Sequence, residues 1–235
     1  MIPGAVVARR TLQSPAGETA DVAIIDVDAT PENMRYMTVV GMLWLDQSEA
    51  ADEELGPLSD EAYRAYFAST AAFLAADRLA TDVCCVLVAQ DERTDEVVGV
   101  AVYTPGAGDW YIDDFTVSPR NQPAFPARIQ LRGVGSFMLG EIAEAADREP
   151  TCTSLSLLPL DEAAQRFWTA RGFHRARPRD RMRMTCEEVH DVAELNRQAG
   201  DDCPDHGDCV SAGDVDEHRR AATPRVAERV YAARS

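Results

Sequence analysis

Apolar positions along the chain switch between a two-residue and a three-to-four-residue period, and the switches mark its elements. A β-branched run over 21–27 (Asp-Val-Ala-Ile-Ile-Asp-Val) has the short period and predicts a first strand. Thr30-Pro31-Glu32 follows, a hydroxyl cap ahead of a proline at the first helical position, and predicts a helix to about residue 45. Residues 46–61 hold seven acids and no base, with Gly56-Pro57 as a breaker, and read as a charged loop. Ser59-Asp60-Glu61-Ala62 opens a second helix to about residue 78. Tyr63, Tyr66, Phe67, Phe73 and Leu74 fall near helical spacing on it, which predicts an aromatic stripe turned to the core.

The runs 83–89 and 96–103 predict two strands joined by a polar turn of hairpin length. A third strand covers 110–117, and Asp113 and Asp114 interrupt its aromatic and apolar run. An inward carboxylate costs several kcal/mol unless it is paired, hydrated or used, so either one of the two lines a cleft or both sit at a solvated strand end. Neighbours on a strand point to opposite faces, which allows only one of them to face a given ligand. A helix over about 136–147 comes next, then a strand over 154–158, a helix over 162–171 stopped by Gly172, and strands around Phe173 and over 181–185.

Between the third strand and its helix lies Gln130-Leu131-Arg132-Gly133-Val134-Gly135. A Gly-x-Gly before a helix has two readings. It is a tight turn, or it is an anion cradle in which backbone N–H groups and the helix dipole, worth about 0.3–2 kcal/mol, face a bound anion.

The 235 residues suffice for one sizeable core plus an appendage. A formal net charge of −17 repels phosphate backbones and anionic lipid, which argues against nucleic-acid and membrane partners and favours cationic ones. All 23 basic residues are arginines. The opening residues lack the apolar core of a signal peptide and no apolar stretch reaches the roughly 20 residues of a membrane span, so a cytoplasmic location is expected. Cys84 and Cys85 lie in an apolar run and read as core, and the six cysteines do not form a disulfide framework by pattern.

Order and motifs together resemble the GNAT superfamily of acyl-CoA-dependent N-acyltransferases. The family signature, Arg/Gln-x-x-Gly-x-Gly/Ala after a strand ending Val-x-Pro, is matched by Val117-Ser118-Pro119 and then Gln130-x-x-Gly133-x-Gly135. Its Ala-x-x-x-Tyr-x-x-x-Gly-Phe helix is similar to the stretch from Ala164 through Trp168 to Gly172-Phe173. The resemblance covers about 21–185. It implies an α/β (α+β) fold with a mixed, mostly antiparallel sheet splayed at its centre and flanked by helices, and acetyl-CoA as cosubstrate. By the same resemblance, the N–H groups of Gln130, Leu131, Arg132, Gly133, Val134 and Gly135 hold the diphosphate, and strand backbone at Phe115, Thr116 and Val117 pairs with pantetheine.

The family mechanism is direct attack of an amine on the thioester. An alkylamine titrates near 10.4, so exposing its lone pair at pH 7 costs roughly 4–5 kcal/mol, which a general base lowers. Asp113-Asp114 resembles the Glu-Asp pair of spermidine/spermine-like members, with Asp113 as the base. Two places depart from the family. Asp161 occupies the place of an Asn that contacts pantetheine. Trp168 falls on the Tyr that protonates the leaving thiolate, and an indole supplies no proton at neutral pH, so water or Tyr111 takes that role. About eight extra residues within 120–129 separate Pro119 from Gln130. The acidic stretch 46–61 suggests a cationic primary amine as acceptor: a polyamine, an aminoglycoside-like amine or a peptide amine. A homodimer is compatible with the pattern. The alternative function is a catalytically weak acyl-CoA-binding sensor or interaction module.

Beyond this domain, 1–186, an acidic extension over 187–235 is expected to be partly disordered or to form short helices. Residues 186–218 carry eleven acids against one arginine. Cys186, His190, Cys203, His206 and Cys209 offer thiolate and imidazole donors of the kind zinc takes, but they match no standard finger spacing, and a disordered acidic tail is the other reading. Arg171, Arg175, Arg177, Arg179, Arg181 and Arg183 form a basic cluster, read as a solvated hairpin or a contact for the CoA 3′-phosphate or the tail.

Overall fold

The computed structural model of the chain describes residues 2–55, 59–81, 84–122, 130–176 and 181–201. They divide into two compact units, one formed by the described residues up to Val102 together with those from Asp114 to Met138, and the other by Tyr103–Asp113 together with the described residues from Leu139 on.

The first unit begins with a strand that the hydrophobic pattern did not predict, β1 (Gly4–Gln13), paired antiparallel with β2 (Thr19–Val27). Its Ala-Val-Val-Ala-Arg-Arg-Thr run lacks a clean two-residue period, and a register shift between Val6 and Ala8 accounts for that. Gly17, at φ +86°, closes the hairpin, and the Ser14 hydroxyl accepts from the Ala16 and Glu18 amides. β2 then pairs antiparallel with β3 (Cys85–Asp91), and β4 (Val97–Thr104) and β5 (Asp109–Val117) follow in hydrogen-bonded order. Cys84 and Cys85 are buried, as expected.

Helices α1 (Pro31–Leu55) and α2 (Asp60–Leu79) cover one face of this sheet. Thr30 caps α1 by accepting from the Asn33 amide. The helix runs ten residues past its expected end, so the acidic stretch from Asp46 is mostly helical and not a loop. Charge does not break a helix, and Ala, Glu, Leu and Gln in this segment are good helix formers. The aromatic stripe of α2 also departs from expectation. Its buried face is made of Ala62, Ala65, Ala68, Ala72, Ala75 and Leu79, while Tyr63 and Tyr66 are exposed and Phe67, Phe73 and Leu74 only half-buried. Small side chains at this spacing let α2 pack closely on Ile25, Val86, Val88, Val100 and Val102 of the sheet and on Met37, Val40 and Trp44 of α1. On the opposite sheet face Gly99 leaves room for Val134 and Met138 in the first turn of α3 (Val134–Asp147).

The second unit contains the first half of β5 paired parallel with β6 (Ser154–Leu157), from Asp109↔Ser154 to Ile112↔Leu157. β8 (Met182–Thr185) pairs antiparallel with β6, and β7 (His174–Arg175) with β8. Together these elements give the expected class, an open and mostly antiparallel sheet flanked by helices. Helix α4 (Glu162–Thr169) is followed by Gly172 at φ +91°, and Phe173 N–H donates back to the Trp168 carbonyl at 3.1 Å. Helix α5 (Cys186–Asp201) begins where the extension was expected to start and is packed within this unit. Asn196 of α5 is buried and donates to Glu141 Oε1 at 2.8 Å and Glu144 Oε1 at 2.7 Å on α3. Arg197 and His190 both reach Asp147, each at 2.9 Å.

Candidate active site

The glycine loop meets α3 in the first unit. Gly133 has φ +88°, a conformation an L side chain rarely adopts, and among the described residues only Leu12, at 3.7 Å, comes near its Cβ position, so it is the dihedral that demands glycine. The loop is tied on both sides. Leu131 N–H donates to Asn121 Oδ1 at 3.0 Å, and Arg132 N–H donates to the Gln13 carbonyl at 3.1 Å. Two of the six amides that the family resemblance assigns to diphosphate are therefore committed within the protein. The N–H groups of Gly133, Val134 and Gly135 open α3 itself, where a helix has no internal acceptors for its first amides. Leu131, Val134 and Phe137 are buried beneath them, and the Arg10 guanidinium lies 4.4 Å from the Phe137 ring centre. The Gln130 side chain turns back to donate to the Gln122 carbonyl at 3.2 Å.

Asn121 belongs to a short 3-10 turn, Pro119–Asn121, and also donates to Ser118 Oγ at 3.0 Å. Sequence reading did not single it out, and nothing in the local pattern marks a side chain that clips a loop ten residues away. Of the extra residues before Gln130, 123–129 lie outside the described residues. Phe115, Thr116 and Val117 are half-buried, and the Val117 carbonyl accepts from the Thr116 hydroxyl at 3.1 Å and the Gln122 amide at 3.5 Å.

In the second unit β5 alternates as a strand must. Trp110 and Ile112 are buried, while Asp109, Tyr111 and Asp113 share the other face and are half-buried. Asp113 Oδ2 accepts from the Thr104 hydroxyl at 2.6 Å. One carboxylate oxygen is thus anchored, and a carboxylate has lone pairs for further donors such as an amine or a water. Asp114, next in the strand, falls on the opposite face by alternation and is also half-buried. The Tyr111 ring carries the Arg181 guanidinium 4.9 Å from its centre. Asp109 holds that arginine at 3.5 Å while accepting from Ser154 Oγ at 2.6 Å and Ser156 Oγ at 2.7 Å.

Asp161 caps α4, accepting from the Ala164 amide at 2.7 Å. That cap gives its carboxylate a structural task at the place where the family has its pantetheine-contacting Asn. Trp168 is buried edge-on between Phe167 and Phe173, with ring centres 4.9 and 5.1 Å away. Arg171 lies 3.6 Å over the Phe167 ring, and burial lowers its pKa.

The proposed zinc donors are divided. Cys186 is exposed, and the His190 ring nitrogen already faces Asp147. Cys203, His206 and Cys209 lie outside the described residues, as do Arg177 and Arg179 of the basic cluster. Among the described residues no group of three or more His, Cys, Asp or Glu could hold a metal ion. Among them also, no helix is long and apolar enough to cross a membrane.

A positive-φ glycine leads directly into α3, whose first amides have no acceptor within the helix. The model of the acetyltransferase (GNAT) family matches residues 43–173, more than half of the chain, and the chain belongs to that family and is an N-acetyltransferase by class. No curated protein matches the chain. Among solved structures it is similar to a cAMP-binding acyltransferase from Mycobacterium smegmatis, at 18% identity and TM-score 0.46, covering 95% of this chain and 56% of that one. It is also similar to a putative acetyltransferase of the GNAT family from Desulfovibrio desulfuricans, at 16% identity and TM-score 0.45, covering 70% of this chain and 99% of that one. A third similarity is to AtaTR bound with AcCoA, at 10% identity and TM-score 0.42, covering 50% and 76%.

Proposed function

We propose that the chain transfers an acetyl group from acetyl-CoA to a primary amine of a cationic acceptor, by direct attack of the amine on the thioester. The observation that carries the cofactor half is the start of α3, where Gly133 at φ +88° leads into three successive amides over a buried apolar floor. Those amides and the helix dipole suit the CoA diphosphate, with Gly133, Val134 and Gly135 as its main donors and Gln130, Leu131 and Arg132 shaping the loop. Backbone at Phe115, Thr116 and Val117 is the family's place for the pantetheine arm.

In the chemistry proposed, Asp113 takes a proton from the ammonium, directly or through water. The freed nitrogen lone pair then forms the C–N bond as the C–S bond breaks. The nitrogen's second proton then passes to the leaving thiolate, relayed by water or Tyr111, which gives the neutral amide and the CoA thiol. Support for Asp113 over Asp114 is its anchoring by Thr104 on the face it shares with Tyr111. The cationic character of the acceptor rests on the acids of α1 and α2 and on the net charge of −17.

One observation favours a second reading. The place of the family's Tyr acid is filled by a buried Trp168, which suits a protein that binds acyl-CoA and turns it over slowly, as a sensor. Thermal unfolding with and without acetyl-CoA tests what both readings share. At a hundred times its dissociation constant a ligand stabilises by about 2.7 kcal/mol, and no shift would remove both.

A further inference from the structure

In the second unit, the sheet face that carries Asp113 also carries a network built around a single arginine. Alternation along β5 sets Asp109, Tyr111 and Asp113 on that face, and the parallel register brings Ser154 opposite Asp109 and Ser156 opposite Tyr111. Both serines are fully buried, and their hydroxyls donate to the two different oxygens of Asp109, at 2.6 and 2.7 Å. A carboxylate held at both oxygens by buried donors has a fixed direction. Its Oδ2 faces Arg181 at 3.5 Å, and that guanidinium lies 4.9 Å from the centre of the Tyr111 ring. The two side chains of the ion pair are 49% and 36% exposed, and a pair this open to water contributes little to stability. What the network achieves is placement: it sets a positive charge against one particular ring.

A fixed cation beside a phenol stabilises negative charge as it develops on the ring and its oxygen. Tyr111 stands two residues from Asp113, about 6.5 Å along the strand, so one reacting centre can lie within reach of both. Trp168, buried against Phe167 and Phe173, has no proton to give at neutral pH. We propose that Arg181, held by Asp109, sets Tyr111 as the proton relay to the leaving thiolate, in place of water and of the tyrosine that Trp168 replaces. In this step the Tyr111 hydroxyl proton passes to the thiolate sulfur as the C–S bond breaks. The phenolate is steadied beside Arg181, and the second proton of the acylated nitrogen then restores the phenol. Neutral amide and CoA thiol result, and Tyr111 ends as it began. Arg181 acts through Tyr111 and is a positioning residue. The proposal rests on the acetyl-transfer reading above.

The test follows thiol release by the full chain with an amine that it acetylates, and thermal unfolding checks that each variant is folded. Tyr111→Phe is expected to lower kcat by about tenfold or more while the KM for acetyl-CoA stays within about twofold. Arg181→Gln should lower kcat in the same way, and Arg181→Lys, which keeps the charge, should recover most of the loss. Combined with Tyr111→Phe, Arg181→Gln should have no further effect, because the two act as one unit. Asp109→Asn removes the charge that holds Arg181 and should behave like Arg181→Gln, alone and in combination. Arg183→Gln removes a neighbouring exposed arginine of β8 and should leave kcat unchanged. Three results overturn the proposal: a Tyr111→Phe enzyme with natural kcat, a loss from Arg181→Gln that is as large without Tyr111 as with it, or an equal loss from Arg183→Gln. In each of these acetyl transfer itself stands. No thiol release with any amine, by contrast, removes the acetyl-transfer reading and the relay with it.

Discussion

The backbone N–H of Arg132 donates to the carbonyl of Gln13 at 3.1 Å, which ties the glycine loop before α3 to the end of β1. Leu12, beside Gln13, is also the one residue among those described that comes within 4 Å of a Cβ placed on Gly133. The loop is thus tied to the strand side, and Gly133 at φ +88° makes the turn from it into α3. Gly133→Ala is expected to cost about 1–2 kcal/mol of stability, the penalty for an L residue in that region. It should also weaken acetyl-CoA binding by about tenfold, read by calorimetric titration. Unchanged affinity would mean that these amides do not hold the diphosphate.

Thr104 anchors one oxygen of Asp113, and this half-buried carboxylate is the proposed base. Asp113→Asn is expected to lower kcat by about 10²–10⁴ while leaving the acetyl-CoA thermal shift intact. Asp114→Asn, on the other face of β5, should do less. The comparison of kcat between the two variants checks the assignment, and equal losses would contradict it.

Helix α5 is held to α3 by a buried amide. Adding a Cβ at Gly140 places it against Asn196, whose Nδ2 serves both Glu141 and Glu144. Gly140→Ala is expected to destabilise by about 1–3 kcal/mol, the cost of disturbing hydrogen bonds to buried polar groups. Denaturant unfolding with circular dichroism measures it. Asn196→Ala should destabilise similarly, and because it opens space, the pair Gly140→Ala with Asn196→Ala should cost less than the sum.

Glu188 in the first turn of α5 reaches back to Thr185, accepting from its amide and its hydroxyl. The Thr185 amide at 2.7 Å, then its hydroxyl and His174, hold the Glu188 carboxyl below its usual range. A depressed folded value stabilises above the unfolded titration, which lies near pH 4.3, and that stabilisation is lost as pH falls through the folded value. Glu188→Ala is therefore expected to cost about 1 kcal/mol at pH 7 and less at pH 3, by thermal unfolding across pH. A cost independent of pH would show that the charge plays no part.

Burial pushes the Cys152 thiol up to about 11, so almost none of it is thiolate at neutral pH. Cys186 is exposed. Brief alkylation at pH 8 followed by peptide mapping should label Cys186 and spare Cys84, Cys85 and Cys152 until denaturant is added. Fast labelling of Cys152 in the native protein would contradict its placement.

Much of the fold was legible because its signals are local. Period-two runs located β2 to β6, Ser59 located the start of α2, and Gly172 located the end of α4 to within two residues. The failures have physical causes. β1 carries a register shift that blurs its alternation, and the acids after Leu45 looked like a loop although their neighbours favour helix. Tyr63 and Tyr66 looked like core because large side chains usually are, whereas alanines fill the core here. At the site, the cradle residues and Asp113 were readable as candidates. What sequence could not supply was which amides are already spent: the partners of Leu131 and Arg132, Asn121 and Gln13, are distant or unmarked. The cap formed by Asp161 was visible only as a departure from a family pattern.

The central claim is amine acetylation with Asp113 as base, and thiol release from acetyl-CoA across a panel of polyamines, aminoglycosides and lysine peptides tests it most directly. Amine-dependent release that Asp113→Asn slows by about 10²-fold or more, with acetyl-CoA binding preserved, is the predicted result. Acetyl-CoA binding without release for any amine, or release that Asp113→Asn leaves unchanged, would contradict it.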